Sequence, residues 1–343
     1  MGRRSDKWVD ATVRSPCEVC GATHFCSVPR DGRTRVCRHE RVWNGIPGRH
    51  GFDRLGERWT WSVRGVGLLA PAQVCEPLQT VERAPPEVLD RVYRALLDEL
   101  ELSPAHLCRL TAPFPEGRGI PKDAVGRLGC RTLLGGHARV ARAVGARFDD
   151  DTLARVPGFY RKTDPARGTG YWSIAASGLL VPVRDVAGRI VACQVRLDEV
   201  RPSGSRYVWL SSARHGGPGP GTPPHVPQHD GATREVVRIT EGPLKASVAT
   251  VLDPDGILTV GFAGVDTWPT VLPALKELGA RTVHIAFDAD CRRNRRVAFQ
   301  LRACAEELAR QGYRRVLELW DEPKGIDDLF ASGGRPRCVG EGT

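Results

Sequence analysis

The chain has 343 residues, enough for two or three domains, and a formal charge of +10 from 50 Lys and Arg against 40 Asp and Glu. No apolar run approaches the ~20 residues of a membrane-spanning helix, and Met1-Gly2-Arg3-Arg4-Ser5-Asp6 leads into no secretory h-region, so a cytoplasmic protein with no membrane partner is expected. The basic balance favours polyanionic partners such as nucleic acid, although an Arg-rich GC-biased genome would give the same excess.

Residues 1–65 are short, polar, Gly-rich and aromatic, with Trp8, Trp43, Trp59 and Trp61. A segment this small buries little core and calls for a metal staple. Of eleven cysteines, four crowd between Cys17 and Cys37 and the others scatter singly, which fits a metal site better than a disulfide scaffold. Cys17-x2-Cys20-Gly21 is a zinc-knuckle half-site, and Cys26 and Cys37 flank a hairpin turned at Asp31-Gly32. The four thiolates are expected to hold a structural Zn²⁺, with His24 and His39 as substitutes should Cys26 point away. Isolated buried thiols are the plainer alternative. Arg30, Arg33, Arg35, Arg38 and Arg41 lie near the aromatics, a composition for single-strand binding or simply for a soluble surface.

Residues 66–86, with Pro71, Pro77, Pro85 and Pro86, read as a linker. In residues 87–155, Val88, Val92, Leu96 and Leu100 recur at helical spacing, and Leu89, Tyr93 and Leu97 widen the stripe. Ser103-Pro104 and Ile120-Pro121 open further helices, so this region is expected to be mostly helical. In residues 156–232 the period changes. Gly178–Asp185 and Arg189–Arg196 form a hairpin, Tyr207–Leu210 adds a strand, and Gly/Pro-rich Gly216–Pro227 reads as a mobile loop. Residues 233–343 alternate strands and helices, the pattern of βαβ units and a parallel sheet.

Acidic residues stand just past the strand-like runs of this last region. Glu241 follows Val236–Thr240, Asp288 and Asp290 follow Val283–Phe287, and Asp327 and Asp328 come after Val316–Trp320. A parallel sheet brings such positions together at its carboxyl edge, where a Glu and an Asp-x-Asp make a hard-cation site suited to phosphate chemistry. The alternative is helix capping, above all for Asp327 and Asp328. Arg292, Arg293, Arg295 and Arg296 follow the Asp pair, either as phosphate ligands or as the solvated start of a helix. His106, His137 and His284 have no partner visible in the sequence and are read as structural.

Glu241-Gly242, Asp288-Ala289-Asp290 and Lys324-Gly325-Ile326-Asp327-Asp328 resemble a Toprim domain, the fold shared by bacterial replicative primases, type IA and type II topoisomerases and some nucleases. The hairpin Gly178–Arg196 and the segment Arg206–Ser212 are similar to the subdomain that precedes Toprim in bacterial primases, which also begin with a zinc ribbon. Glu241-Gly242-Pro243-Leu244-Lys245-Ala246 and Val156-Pro157-Gly158-Phe159-Tyr160 bring the chain nearest to stand-alone Toprim proteins of unknown function found on phages, plasmids and integrated elements.

The fold this resemblance implies is a multidomain α/β and α+β chain. It has a zinc ribbon at 1–65, a linker at 66–86, a helical region at 87–155, a primase-like basic α/β subdomain at 156–232 and a Toprim parallel sheet at 233–343. The implied activity is a DNA primase, making short primers on single-stranded DNA template from NTPs or dNTPs for a mobile element. Asp288 and Asp290 would hold Mg²⁺ or Mn²⁺, with Glu241 as a further ligand or general base. Asp327 and Asp328 are candidates for a second ion. Arg196, Arg206, Lys245 and Lys324 would meet nucleotide or template phosphates. No GxxxxGK[ST] motor motif is present, so a separate helicase is the expected partner. A Toprim nuclease and a non-catalytic nucleic-acid-binding protein are the rival readings. The chain departs from the primase pattern in two places. Lys245 stands where primases carry an acidic residue, and Cys291–Arg296 replaces a small-residue turn.

Overall fold

Short strands and tight turns are what a Gly-rich segment without a long apolar run can build, and the N-terminal part is made of them. The computed structural model describes residues 8–12, 17–20, 22, 26–29, 34–40, 42–43, 46–53, 56–62, 81–133, 137–164, 168–174, 176–199, 206–229 and 231–340. The chain divides into two units, residues 1–76 and 77–343. In the first, the strands are β1 (Trp8–Asp10), β2 (Ser27–Pro29), β3 (Thr34–Cys37), β4 (Val42–Trp43), β5 (Ile46–Pro47), β6 (Arg49–Asp53) and β7 (Gly56–Ser62). An antiparallel sheet runs β1-β2-β3-β7-β6, and β4 pairs with β5. Its core is Cys17, Cys26, Cys37 and Trp61.

The second unit opens with α1 (Pro86–Asp98), which starts on Pro86 and buries Leu89, Val92, Tyr93, Leu96 and Leu97. Next come α2 (Pro104–Thr111), α3 (Val125–Leu128), β8 (Arg131–Leu133), α4 (His137–Gly145) and α5 (Asp150–Ala154). The Ser103 hydroxyl caps α2 by accepting from the His106 amide. The strands that follow are β9 (Phe159–Thr163), β10 (Gly170–Ile174), β11 (Gly178–Arg184), β12 (Ile190–Arg196) and β13 (Tyr207–Trp209). An antiparallel sheet runs β13-β12-β11-β8. The region expected to be helical therefore also contributes a strand. Three residues are too few to show a period of two, and β8 is fixed by pairing with Gly178–Leu180. Strand β8 starts opposite Leu180, so Pro182 of β11 lies beyond that ladder.

The parallel sheet is built from β14 (Val236–Glu241), α6 (Pro243–Leu252), β15 (Leu258–Phe262), α7 (Leu272–Glu277), β16 (Thr282–Ala286), α8 (Arg295–Arg310), β17 (Arg314–Leu319), α9 (Ile326–Ala331) and β18 (Arg337–Gly340). Its order is β15-β14-β16-β17-β18, with the first four strands parallel and β18 antiparallel at the edge. Helices cover both faces, so β14 reads as a nearly continuous buried run. A cluster of Leu110, Ile120, Leu128, Leu179, Val181, Leu244 and Val248 joins α2, α3 and β11 to α6. That packing brings the antiparallel part beside the carboxyl edge of the parallel sheet. The fold is thus mixed α/β, with a four-cysteine cluster near the N-terminus. Among the described residues no helix is long and apolar enough to cross a membrane.

Gly216–Pro227, expected to be mobile, is strapped down at its end. The His225 amide and carbonyl pair with Gly261 of β15, and the Val226 amide donates to the Arg184 carbonyl. The His225 ring is fully buried: Nδ1 accepts from the Arg184 amide at 3.0 Å, so Nε2 carries the proton and donates to Ser247 Oγ at 2.8 Å. Burial, reinforced by Arg184, lowers its pKa to about 3. The unfolded chain then binds a proton below about pH 6.5 that the native state refuses. The His225 contribution to stability should fall by up to about 1.4 kcal/mol per pH unit as pH drops from 6.5 towards 3. The midpoint of urea unfolding, followed over pH 7 to 5, should fall more steeply for the native chain than for His225→Gln. Equal slopes would rule this role out.

Candidate active site

Adjacent parallel strands set the site. β14 and β16 pair Thr240 with Ala286, so the chain leaves both strands at the same level, through Glu241 and through Phe287-Asp288. Gly242, at φ 103°, turns the backbone into α6 in a conformation that side-chain-bearing residues avoid. Glu241, Lys245, Asp288, Lys324, Asp327 and Asp328 line one cavity of about 520 Å³. Asp290 sits beside it, its Oδ2 3.3 Å from Lys324 Nζ. The three stretches carrying the acidic residues therefore do converge.

Neighbouring cations hold these carboxylates. Lys245 is ion-paired with Asp288, and Lys324 Nζ lies 3.6 Å from the other Asp288 oxygen. Arg118, from the loop after α2, pairs with Asp327 and reaches within 4.0 Å of Asp328. Burial, with Asp288 beside it, raises the pKa of Glu241. Burial and Asp327 likewise raise that of Asp328. Lys245 loses solvation, but Asp288 and Asp327 outweigh that and raise its pKa. Capping does not explain the carboxylates. Gly242 and Gly325 hold the N-cap positions of α6 and α9, Asp327 and Asp328 fall in the first turn of α9, and Asp288 makes no side-chain cap bond.

The donor set fits a hard divalent cation. The residues are oxygen donors, and Asp290 Oδ1 and Asp327 Oδ1 are buried without a hydrogen-bond partner. Among the described residues, the sets of three or more metal-capable side chains within 4.8 Å are Cys17/Cys20/Cys26/Cys37 and His284/Glu318/Cys338. The acidic residues are spaced more widely, with lysines between them.

Arg196 and Arg206 line an adjoining cavity of about 300 Å³ that shares Arg118, Leu244 and Asp328 with the first. Burial lowers the Arg196 pKa, and the like charges of Arg118, Arg206 and Arg109 add to that. Such a pocket suits phosphate. Of the two readings for the arginines after the Asp pair, the solvated start of a helix describes the exposed ones. Arg296 binds Asp266, Arg293 and Arg295 are exposed, and the Arg292 side chain is outside the described set. Asn294 caps α8.

In the N-terminal unit the Cys17, Cys20, Cys26 and Cys37 sulfurs converge, and Cys37 Sγ accepts from the His39 and Glu40 amides at 3.3 and 3.2 Å. His39 Nδ1 is 3.5 Å from both Cys20 Sγ and Cys26 Sγ, so it remains a neighbour of the cluster. His24, the Asp31-Gly32 turn, Arg30, Arg33 and Arg41 lie outside the described residues. Burial pushes the Cys20 thiol up to about 11. Four soft donors at this spacing can hold a structural zinc. Trp61 packs against the cysteines and is buried, so it is unavailable for base stacking. Treatment with a zinc chelator, or Cys37→Ser, should unfold this unit if the four thiolates hold the ion that staples it. Limited proteolysis should then clip residues 1–76 while 77–343 survive; equal protection with and without chelator would exclude a structural ion.

Two features had little sequence signal. Arg118 sits in the Pro/Gly-rich loop Phe114–Pro121, and only the charged residue between turn formers marks it. A buried network joins Arg238 to Glu318 by two bonds of 2.6 and 3.0 Å, to Asp253, and through Glu318 to His284 at 2.7 Å. The pairing of β14 with β16 places Arg238 level with His284, a register that the sequence alone does not carry.

Comparison with known proteins adds the following. A family model described as "Domain of unknown function (DUF3854)" matches residues 232–336. No curated protein matches. A DnaG primase catalytic domain bound to single-stranded DNA is similar at 16% identity and TM-score 0.48, covering 73% of this chain and 80% of that one. A Pseudomonas aeruginosa DNA primase domain is similar at 18% identity and TM-score 0.45, covering 72% and 75%. The zinc-binding and RNA polymerase domains of the Aquifex aeolicus primase are similar at 12% identity and TM-score 0.49, covering 75% and 63%. The family match spans the four parallel strands and every residue from Glu241 to Asp328, and stops before β18.

Proposed function

We propose that this chain is a DNA-directed nucleotidyltransferase of primase type, making short primers on single-stranded DNA for a mobile element. The observation that carries this reading is one cavity lined by Glu241, Asp288, Asp327 and Asp328, beside a second lined by Arg196 and Arg206. Carboxylates next to guanidiniums suit a metal–phosphate substrate better than either set alone.

Asp288 and Asp290 would hold Mg²⁺ or Mn²⁺, with Glu241 as a further ligand or as acceptor of the 3′-hydroxyl proton. The bound ion would supply Lewis-acid activation of that hydroxyl and neutralise charge on the attacked phosphate. The new bond joins the 3′-oxygen to the α-phosphorus of an NTP or dNTP, and pyrophosphate leaves. Arg196 and Arg206 would orient nucleotide or template phosphates, and Lys324 would meet phosphate from the rim. The cysteine module would hold template, and a separate helicase would expose it.

The test is purified protein with Mg²⁺ or Mn²⁺, labelled NTPs or dNTPs and several primer-free single-stranded DNA templates. Labelled oligonucleotide is the expected product. Cleavage of DNA without nucleotides would replace this reading with a nuclease, and neither activity would leave a nucleic-acid-binding protein.

A further inference from the structure

We propose that Lys245 is a resident cation in the bay between Asp288 and Asp327, so that the cavity takes one divalent ion, on Glu241, Asp288 and Asp290, where two would otherwise fit. This rests on the metal-dependent reading above and narrows it.

The two lysines at the acidic residues differ in their freedom to leave. The Lys324 side chain is 65% exposed and approaches Asp290 and Asp288 at 3.3 and 3.6 Å. It can swing into water when an ion arrives. Lys245 is 19% exposed and starts from the first turn of α6, whose entry is fixed by Gly242 and Pro243. Its ammonium pairs with Asp288.

Gly325 shows where the Lys245 arm lies. A Cβ there would meet Asp327 Oδ1 at 2.3 Å and Lys245 Cε at 3.2 Å. The start of α9 is therefore cut back to admit both side chains at one place. Asp327 is 1% exposed, and its Oδ2 takes Arg118. Its Oδ1 is buried with no hydrogen-bond partner. The Lys245 arm lies beside this unpaired oxygen, with Arg118 on the other oxygen of the same carboxylate.

A divalent ion bridging Asp288 and Asp327 would have to expel that ammonium, or sit beside it at a Coulombic cost that low local dielectric enlarges. On the other side of Asp288 lie the exposed Lys324 and the unpartnered Asp290 Oδ1. That is the bay open to metal. In the second bay the ammonium would neutralise phosphate charge without an ion.

The experiment counts Mn²⁺ on the full chain by the loss of its free aqueous EPR signal. Asp288→Asn/Asp290→Asn, titrated in parallel, subtracts ions bound elsewhere. One Mn²⁺ is expected for the native chain and for Lys245→Arg, and two for Lys245→Met. Two ions on the native chain, or one on a folded Lys245→Met, would overturn the proposal. No difference between the native chain and the Asp variant would overturn the metal reading itself, a separate result. A native count of two overturns the proposal even if Lys245→Met fails to fold.

Discussion

Asp288→Asn/Asp290→Asn should lose primer synthesis by ~10³-fold or more, because both carboxylates are assigned to the ion that activates the nucleophile and ~10³ in rate is only about 4 kcal/mol of barrier. The fold should survive. Both residues lie beyond the end of β16, and removing their charge also leaves Glu241 with fewer like-charged neighbours. The native chain should gain thermal stability on adding Mn²⁺, since an ion that binds only the folded state stabilises it by mass action, and the variant should not. Incorporation measured at saturating nucleotide, with a melting curve on each sample, checks both parts. Activity within tenfold of the native chain would remove these residues from the chemistry.

Arg238→Met should cost about 3–5 kcal/mol of stability, the range for breaking a buried ion pair by deleting one partner. Arg238 is 2% exposed and Glu318 3%, and each depends on the other. Burial alone would raise the pKa of Glu318, yet His284 and Arg238 hold it below its ordinary value. Without the guanidinium, Glu318 and Asp253 stay buried with one fewer cation. The double variant Arg238→Met/Glu318→Gln should lose less than the sum of the singles, because the second change removes the charge the first strands. Urea unfolding of the four proteins measures that coupling; strict additivity would mean the network is not a unit.

The parallel sheet was readable because its strands carry continuous apolar runs followed by helical periodicity. The position of Glu241 and Asp288 at strand ends was readable for the same reason. Their proximity needed the strand order, since β14 and β16 are neighbours although β15 lies between them in sequence. Long-range partners left less trace. Arg118 meets Asp327 across 209 residues, and no local pattern points from one to the other. Gly/Pro content in Gly216–Pro227 speaks to backbone freedom and says nothing of the Gly261 edge that captures His225. Strand β8 is too short to carry a period. Trp61, grouped in the sequence with the rings of a single-strand-binding composition, is buried because a module this small needs a large apolar side chain against its cysteines.

A crystal of the full chain grown with Mn²⁺, with anomalous scattering collected at the manganese edge, tests the central claim most directly. One peak should stand within about 2.2 Å of carboxylate oxygens from Asp288 and Asp290, with Glu241 alongside. Manganese bound elsewhere, with Lys245 and Lys324 still closed over an ion-free Asp288, would contradict a shared metal at the carboxyl edge of the sheet.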